Sequence, residues 1–171
     1  MDNLTTHILI VVLPLLLSNV VHMFVVKWNL LSFLTKPLWK EGFGANKTWR
    51  GFLIVPLLNA FILWLVALAG NLLVSNPLVL GFLLGLAYLL FELPNSYFKR
   101  RAGIQPGGAG GKYAFLGTLI DKMDSAFGVV LVYFLLGYIA VIPALILFLL
   151  ASTTHFLISY VLVLLKVKKS I

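Results

Sequence analysis

Two carboxylates and a hydroxyl share one helical face in the stretch LIDKMDSAFG, residues 119–128. Asp121, Asp124 and Ser125 stand at positions i, i+3 and i+4, and residues at this spacing are neighbours on a helix surface. Carboxylate and hydroxyl oxygens are hard ligands, which magnesium and manganese prefer and zinc does not. The stretch therefore predicts a site for Mg²⁺, with Mn²⁺ as the alternative.

A second polar face lies earlier in the chain, in the stretch ELPNSYFKRR. Glu92, Asn95, Ser96 and Lys99 follow one another at spacings of three, one and three, so they also share a helical face. We expect the two faces to meet, with Glu92 joining the two aspartates at the metal. The alternative is an internal salt bridge, in which Lys99 or Lys122 neutralises the acids with no metal present.

Basic residues beside small residues favour phosphate binding in the loop GFGANKTWRG, residues 42–51. Asn46, Lys47, Thr48 and Arg50 bring an amide, a hydroxyl and two cations close to backbone N–H groups at the start of a helix, and such groups together bind phosphate. The spacing is not that of a P-loop. The alternative is that these cations only mark the cytoplasmic side of a membrane.

The segment KRRAGIQPGGAGGK, residues 99–112, joins a basic cluster to a glycine-rich stretch. Beside Lys99, Arg100 and Arg101 the glycines could fold over an anion, although by themselves they favour a flexible linker. Nucleic acid is a poor candidate for that anion, because the segment is followed by a single aromatic residue, Tyr113, and contains no recognisable nucleic-acid-binding module.

The composition indicates that the segments carrying these residues lie in a membrane. Of the 171 residues, 61% are hydrophobic and 11% are charged, and the mean hydropathy is +1.07. A soluble domain is nearer to half apolar and a quarter charged. The chain has no cysteine, which excludes a disulfide framework, a zinc–thiolate cluster and a thiol nucleophile.

Five stretches are long and apolar enough to cross a bilayer, which takes about 20 residues as a helix. They cover residues 7–26, 52–71, 77–98, 113–137 and 139–165. We therefore expect an all-α integral membrane protein that forms one transmembrane catalytic domain over residues 1–171. Two polar loops, 27–51 and 99–112, are expected on one side of the membrane.

The basic residues fall on one side of this predicted bundle. Twelve of the thirteen lie in the two polar loops or after the fifth helix, and Lys122 is the exception. The positive-inside rule makes that side cytoplasmic, with the N-terminus outside and the C-terminus inside the cell membrane. We expect a polar cavity that opens to the cytoplasm. Segment 28–43, with Trp28 and Trp39, is expected to lie along the membrane interface or to be an ordinary loop.

The remaining helices carry neutral polar side chains at a similar depth, counted at 1.5 Å of rise per residue. These are Asn19, Asn59, His155 and Ser159. One ionised aspartate at a helix centre costs about 2.5–3.5 kcal/mol, so three carboxylates must face a shared interior and not lipid. Taken singly, the neutral residues are equally well explained as hydrogen-bond links between helices.

The paired motifs resemble the signature of the integral-membrane CTP:phosphatidate cytidylyltransferases. That signature has Ser-x-x-Lys-Arg, a glycine-containing loop and Asp-Arg-x-Asp, which residues 96–100 and 121–124 match, with Lys122 in place of the usual Arg. The loop lacks the Lys-Asp and His-Gly-Gly elements of the bacterial enzymes, and the chain is much shorter. With Asn-Lys-Thr-x-Arg-Gly at 46–51 and the five-helix layout, the chain is similar to the archaeal branch, the CDP-archaeol synthases.

The resemblance implies an activity and a role for each candidate residue. Members of the family use magnesium to join CTP to 2,3-bis-O-geranylgeranylglycerol 1-phosphate, giving CDP-archaeol and pyrophosphate. By similarity, Asp121 and Asp124 hold the metal, Glu92 contributes directly or through water, and these acids act with Lys99 in catalysis. Phosphates are bound by the cations Lys47, Arg50, Lys99 and Arg100. The polar shell is completed by Asn46, Thr48, Asn95, Ser96 and Lys122.

Two other functions share part of this pattern. A CTP-dependent polyprenol kinase would have the same membrane, nucleotide and carboxylates, but it would transfer the γ-phosphoryl group and release CDP. A small transporter or cation channel would use the same acids as an ion path. The one-sided distribution of phosphate-binding residues argues against transport, because a transporter needs access from both sides.

Overall fold

The computed structural model describes residues 3–105 and 114–167, without the side chains of residues 114–118. Five long helices form most of it: α1 Leu4–Lys27, α2 Trp49–Ala69, α3 Pro77–Arg101, α4 Ala114–Leu135 and α5 Val141–Leu164. In the described part of the chain the only β pairing is an isolated bridge between Pro37 and Thr48. The fold is therefore all-helical, as the sequence predicts.

Four of these helices, α1, α2, α3 and α5, are long and apolar enough to cross a membrane. Helix α4 is 22 residues long, but it carries Asp121, Lys122 and Asp124 in its first half. Large apolar side chains point outward from the bundle, and Leu57 and Leu149 are 59% and 61% exposed. An all-helical bundle with an apolar exterior suits a lipid environment, because a helix satisfies the hydrogen bonds of its own backbone internally.

Helix α2 begins earlier than its apolar run indicates. It starts at Trp49, and not at residue 52, with Thr48 in extended conformation as its N-cap. Arg50 therefore lies in the first turn of a helix and not in a loop. Hydropathy marks where the apolar residues begin, whereas the helix begins where the backbone first closes its hydrogen bonds.

Helix α3 likewise continues past its apolar run. It is unbroken through Pro94 and ends at Arg101, so Lys99 and Arg100 stand on helical backbone. Cations in the last turn of a helix interact favourably with the partial negative charge of the helix end, which helps α3 to extend through this basic cluster. The helix therefore includes the first three residues of the predicted loop 99–112, and the glycine-rich part of that segment, with Lys112, lies outside the described residues.

Helices α2 and α3 pack most closely where two glycines of α3 face α2. A Cβ on Gly81 would lie 2.6 Å from the Cα of Ala60, and one on Gly85 would lie 2.7 Å from the Cα of Pro56. Small residues four apart allow this approach, and the Gly-x-x-x-Gly spacing is its sequence signal. The amide of Asn59 donates to the carbonyl of Gly81 at 2.6 Å across the same contact. Asn59 is thus a hydrogen-bond link between helices.

The apolar core lies toward the end of the bundle where α1, α3 and α5 begin. Its buried members include Ile10, Leu63, Leu84, Tyr133 and Leu147. The hydroxyl of Tyr133 is 3.0 Å from Nδ1 of His7, a second neutral link between helices. We call the opposite end, where α1 and α3 finish and α2 and α4 begin, the basic end.

The connection between α1 and α2 contains two short helical turns. A 3₁₀ turn covers Ser32–Leu34, and a single α-helical turn covers Lys40–Phe43. Trp28 and Phe33 are 64% and 71% exposed. Exposed aromatic side chains beside basic residues are what a segment at the membrane surface requires.

Candidate functional site

The two polar faces recognised in the sequence meet where the end of α3 packs on the start of α4. The Asn95 amide Nδ2 donates to Oδ1 of Asp121 at 2.6 Å and to Oδ2 of Asp124 at 2.9 Å. Gly128 allows the helices to approach, since a Cβ there would lie 2.2 Å from the ring of Phe91. One amide therefore brings the two carboxylates to a single point.

Both aspartates have a further partner at this point. The Lys99 ammonium lies 2.5 Å from Oδ1 of Asp121, and the backbone N–H of Ser125 donates to Oδ1 of Asp124 at 2.7 Å. The Asp121 side chain is 43% exposed, against 20% for Lys99. The acid pair is thus partly exposed and is not sealed inside the bundle.

Glu92 is held by a different cation. Its carboxylate forms an ion pair with Lys47, just before α2, and both side chains are mostly buried. The hydroxyl of Ser96 donates to the Glu92 backbone carbonyl at 2.8 Å, as serine commonly does one turn along a helix. Among the described residues, no three His, Cys, Asp or Glu side chains gather closely enough to hold a metal ion. Glu92 therefore does not join the two aspartates at one point in this arrangement.

The backbone of the first connection fixes Lys47 and its neighbours. The N–H of Leu38 donates to the carbonyl of Lys47 at 2.8 Å, and the N–H of Trp49 donates to the carbonyl of Lys36 at 3.1 Å. These bonds flank the Pro37–Thr48 bridge and press the segment against the start of α2. Lys47 and Thr48 are partly buried by this pairing, and Asn46 at the tip of the turn is exposed.

Arg50 is buried and is partly satisfied by backbone. Its Nη1 donates to the carbonyl of Leu30 at 3.0 Å and lies 3.4 Å from Oδ1 of Asn29. Its Nε is shielded from solvent and has no hydrogen-bond partner in the described part of the chain. The sequence interpretation passed over Asn29, whose positive φ of 51° just after α1 is a conformation that asparagine tolerates well.

Arg100 and Arg101 differ sharply although they are adjacent. Two guanidinium nitrogens of Arg100, Nε and Nη1, are buried without a partner among the residues that the structure describes. Arg101 instead lies over the ring of Tyr97 at 5.3 Å and donates from Nε to the Tyr97 hydroxyl at 2.9 Å. Lys122, one residue after the first aspartate, is buried. The basic end thus holds cationic groups that its own carboxylates do not fully satisfy.

A polar cluster without a carboxylate lies one helical turn from Glu92. Tyr88 is four residues earlier on α3, and its hydroxyl is 3.0 Å from Nε2 of His155 and 3.2 Å from the amide of Asn19. That amide also lies 3.3 Å from Nε2 of His155. The sequence interpretation treated Asn19 and His155 separately and passed over Tyr88, although its spacing from Glu92 puts both on one face of the helix.

The donor set of the acid pair suits a hard divalent cation. Asp121 and Asp124 both reach the same amide nitrogen, and the side chains of Asn95 and Ser125 add neutral oxygens close by. An oxygen-only set of this kind matches magnesium better than zinc. The residues present therefore fit the metal that the sequence predicts. Glu92, one helical turn before Ser96 on α3, is a further carboxylate near this set.

Acids and cations from α2, α3 and α4 thus converge at the basic end of the bundle. Such a cluster can bind a polyanion together with a divalent cation, because the lysine and arginine side chains can bind the anion and the carboxylates the cation. A scan against protein-family models gives no match for the chain, and searches of curated proteins and of solved structures give none either.

Proposed function

We propose that the chain is a magnesium-dependent CTP:lipid-phosphate cytidylyltransferase. It would transfer CMP from CTP to an isoprenoid ether-lipid phosphate, 2,3-bis-O-geranylgeranylglycerol 1-phosphate, and release pyrophosphate. The supporting observation is the meeting of the two motifs: Asn95 contacts both Asp121 and Asp124, and Lys99 pairs with Asp121. Residues that are far apart in the sequence thus lie together as a transfer site would need.

The proposal includes a membrane orientation. All five helices would span the cell membrane, with the N-terminus outside, and the basic end would face the cytoplasm, where CTP is found. Helix α4 carries charges, but its acids are turned toward α3 through Asn95 and not toward lipid. Intramembrane acids are tolerated when they face the bundle interior or a wet cavity.

The surplus of cations is the second support. CTP and a lipid phosphate are both polyanions, and bringing them together is the main electrostatic obstacle to the reaction. Lys47 and Lys99 now pair with carboxylates, and in the complex they would exchange those carboxylates for phosphate oxygens. The exchange would release Glu92 and Asp121 toward the metal. Arg100 already has unpartnered buried nitrogens among the described residues and needs no exchange.

The same contacts weigh against the simple salt-bridge interpretation. That interpretation accounts for the pairs Lys47–Glu92 and Lys99–Asp121. It does not account for Asp124, whose described hydrogen bonds come from Asn95 and the Ser125 backbone and not from a cation. Keeping a carboxylate ionised in this position costs free energy unless a cation binds to it.

In the reaction, an oxygen of the lipid phosphate attacks the α-phosphorus of CTP, and the bond from that phosphorus to the bridging oxygen of the β-phosphate breaks. A phosphate monoester is already anionic, so the step needs little help from a base. Lys47, Arg50, Lys99 and Arg100 would bind and orient the phosphates and stabilise the charge that builds up between them. Asp121 and Asp124, with Glu92, would hold Mg²⁺, which supplies charge neutralisation when bound.

The test is an assay of products with purified protein in detergent. With CTP, magnesium and the ether-lipid phosphate, we expect CDP-lipid and pyrophosphate in equal amounts, and no product in excess chelator. Formation of CDP and a new lipid phosphate from a polyprenol would show a kinase instead. Ion flux through protein-containing liposomes without nucleotide, and without either lipid product, would show a transporter.

A further inference from the structure

A cavity of about 40 Å³ lies at the seam between α1 and α5. Leu15 and Leu16 of α1 and Thr154 and Ile158 of α5 form its sides. All four side chains are only partly buried, so the cavity reaches the outer surface of the bundle. Its walls are mainly apolar, and its outer mouth faces the region that lipid chains would occupy.

The floor of the cavity is polar on one side. Tyr88 of α3, Ala126 of α4 and, next to Tyr88, Asn19 and His155 line it. Tyr88 is 9% exposed, and its hydroxyl contacts both Asn19 and His155. The cavity therefore combines an apolar wall with polar hydrogen-bonding groups at its inner end.

The seam lies between the two least buried of the four membrane-length helices. In their apolar windows, 22% of α1 and 17% of α5 are buried inside the bundle, against 39% for both α2 and α3. Helices that share little buried surface separate at lower cost than closely packed ones, because less van der Waals contact is lost. The α2–α3 contact, with its two interlocked glycines, is the opposite case.

The polar floor is continuous with the charged site. Tyr88 precedes Glu92 by one turn of α3, about 6 Å along the helix axis at 1.5 Å per residue. A lipid whose phosphate lies among the cations would carry its uncharged linking oxygens at about this depth and its hydrocarbon chains beyond them. Ether oxygens accept hydrogen bonds, and the Tyr88 hydroxyl and the Asn19 amide can donate them.

We propose that the α1–α5 seam is the lateral opening for the lipid substrate. One hydrocarbon chain lies between Leu15 and Thr154, and the Asn19–Tyr88–His155 cluster binds the uncharged oxygens that link the chains to the phosphate. This inference rests on the proposed function for the identity of the lipid. Its test is chosen so that either claim can fail without the other.

The first measurement uses two neighbouring threonines. Thr154 lines the cavity, whereas Thr153 is exposed on the outside and bonds the Leu149 carbonyl at 2.8 Å. Thr154→Phe fills the seam, and we expect the KM for the lipid phosphate to rise about tenfold, the order of loss when bulk is forced into an occupied apolar site. The KM for CTP should not change. Thr153→Phe, the same substitution facing outward, should leave both constants within about twofold.

The second measurement needs no enzymatic activity. Because the chain contains no cysteine, Thr154→Cys and Thr153→Cys each carry a single thiol that N-ethylmaleimide can label. At about ten times its Kd, the ether-lipid phosphate should slow labelling of Thr154→Cys about tenfold by mass action, in the absence of CTP and magnesium. It should leave Thr153→Cys unaffected, and a diether lipid of the same chains without phosphate should protect neither variant.

Each outcome of these measurements either supports or overturns the seam as the lipid opening. Protection at position 154 alone supports the seam even if no CDP-lipid is ever formed, in which case the proposed function fails by itself. Equal protection at both positions, protection at neither, equal protection by the phosphate-free lipid, or a Thr154→Cys thiol that never reacts overturns the seam. If CDP-lipid forms while Thr154→Phe keeps the wild-type KM for the lipid phosphate, the proposed function is supported and the seam is not the lipid opening.

Discussion

The structure contains two kinds of polar contact between helices, and they differ in charge, exposure and neighbours. The contacts between Asn59 and Gly81 and between His7 and Tyr133 are neutral, fully enclosed and set in the apolar core. The charged contacts at the basic end are partly exposed, and one of them joins Asn95 to two carboxylates. The neutral contacts join uncharged groups of the bundle to one another, whereas the charged group also includes cationic nitrogens without a partner among the described residues.

The comparison shows how to tell structural polar residues in membrane helices from functional ones. A hydrogen-bonded link needs only a partner and a close helix contact, which Gly81 and Gly85 provide on α3. A binding site needs groups whose charge is not fully compensated, as the guanidinium of Arg100 and the carboxylate of Asp124 provide among the described residues. Substitutions in the two regions should therefore separate stability from activity.

The largest effect is expected at the acid pair. Asp124→Asn keeps the size of the side chain, removes its charge and replaces one of its two accepting oxygens with an amide donor. We expect the rate of CDP-lipid formation to fall at least about a hundredfold, as for loss of one main electrostatic group in a transfer site. The thermal midpoint in detergent should be unchanged or slightly higher. A variant with half the wild-type rate would remove Asp124 from the catalytic set.

A large effect on stability, and not on the catalytic step, is expected at Gly85. Gly85→Leu forces a side chain against the Cα of Pro56, 2.7 Å from where its Cβ would be placed, and separates α2 from α3. We expect a loss of about 3 kcal/mol in stability, seen as a large fall in thermal midpoint, with activity lost only as the fold is lost. Leu83→Phe adds bulk on an exposed part of the same helix and is the control. Equal melting of the two variants would contradict the close contact.

An intermediate effect is expected at the adjacent arginines. Arg100→Ala removes a guanidinium with unpartnered buried nitrogens among the described residues, and we expect the KM for CTP to rise about tenfold or more, as for loss of a charge-assisted hydrogen bond. Arg101→Ala removes a guanidinium already engaged with Tyr97 and should change the KM less than about threefold. Steady-state kinetics with varied CTP measure both. Equal effects would mean that net charge, and not the position of Arg100, controls CTP binding.

The smallest effect is expected at the neutral link. Asn59→Leu removes the hydrogen bond to Gly81, and such bonds between membrane helices contribute about 0.6 kcal/mol. The thermal midpoint should fall slightly, while kcat/KM stays within twofold of wild type when assayed well below the melting range. A hundredfold loss of activity in a folded Asn59→Leu protein would place Asn59 in the site and erase the distinction between the two regions.

Much of the fold follows from the sequence, because hydropathy and helical spacing are local properties. Apolar runs located all five helices, and the i, i+3 spacing placed Asp121 and Asp124 on one face. Helix ends were missed where charged turns continue the helix, as at Arg50 and Lys99. These residues are charged, so a hydropathy profile assigns them to loops even when their backbone is helical.

The partners within the site are less predictable, since they depend on how helices pack. The pairing of Lys47 with Glu92 joins positions far apart in the sequence, and no periodicity indicates it. Tyr88 escaped notice because tyrosine reads as an apolar residue in a membrane span, although its hydroxyl completes a polar cluster. Residues 106–113 lie outside the described part of the chain, so the two interpretations of the glycine-rich segment, a flexible linker or a fold over an anion, stay open to experiment.

The most direct test of the charged region's role follows the phosphorus atoms of CTP. Purified protein is incubated with magnesium, the ether-lipid phosphate and CTP labelled either at the α- or at the γ-phosphorus. If the basic end carries out nucleotidyl transfer, the α-label enters the lipid and the γ-label leaves as pyrophosphate, and the Asp124→Asn protein does neither. Entry of the γ-label into lipid, or no entry of either label into lipid with folded wild-type protein, would contradict the proposed reaction.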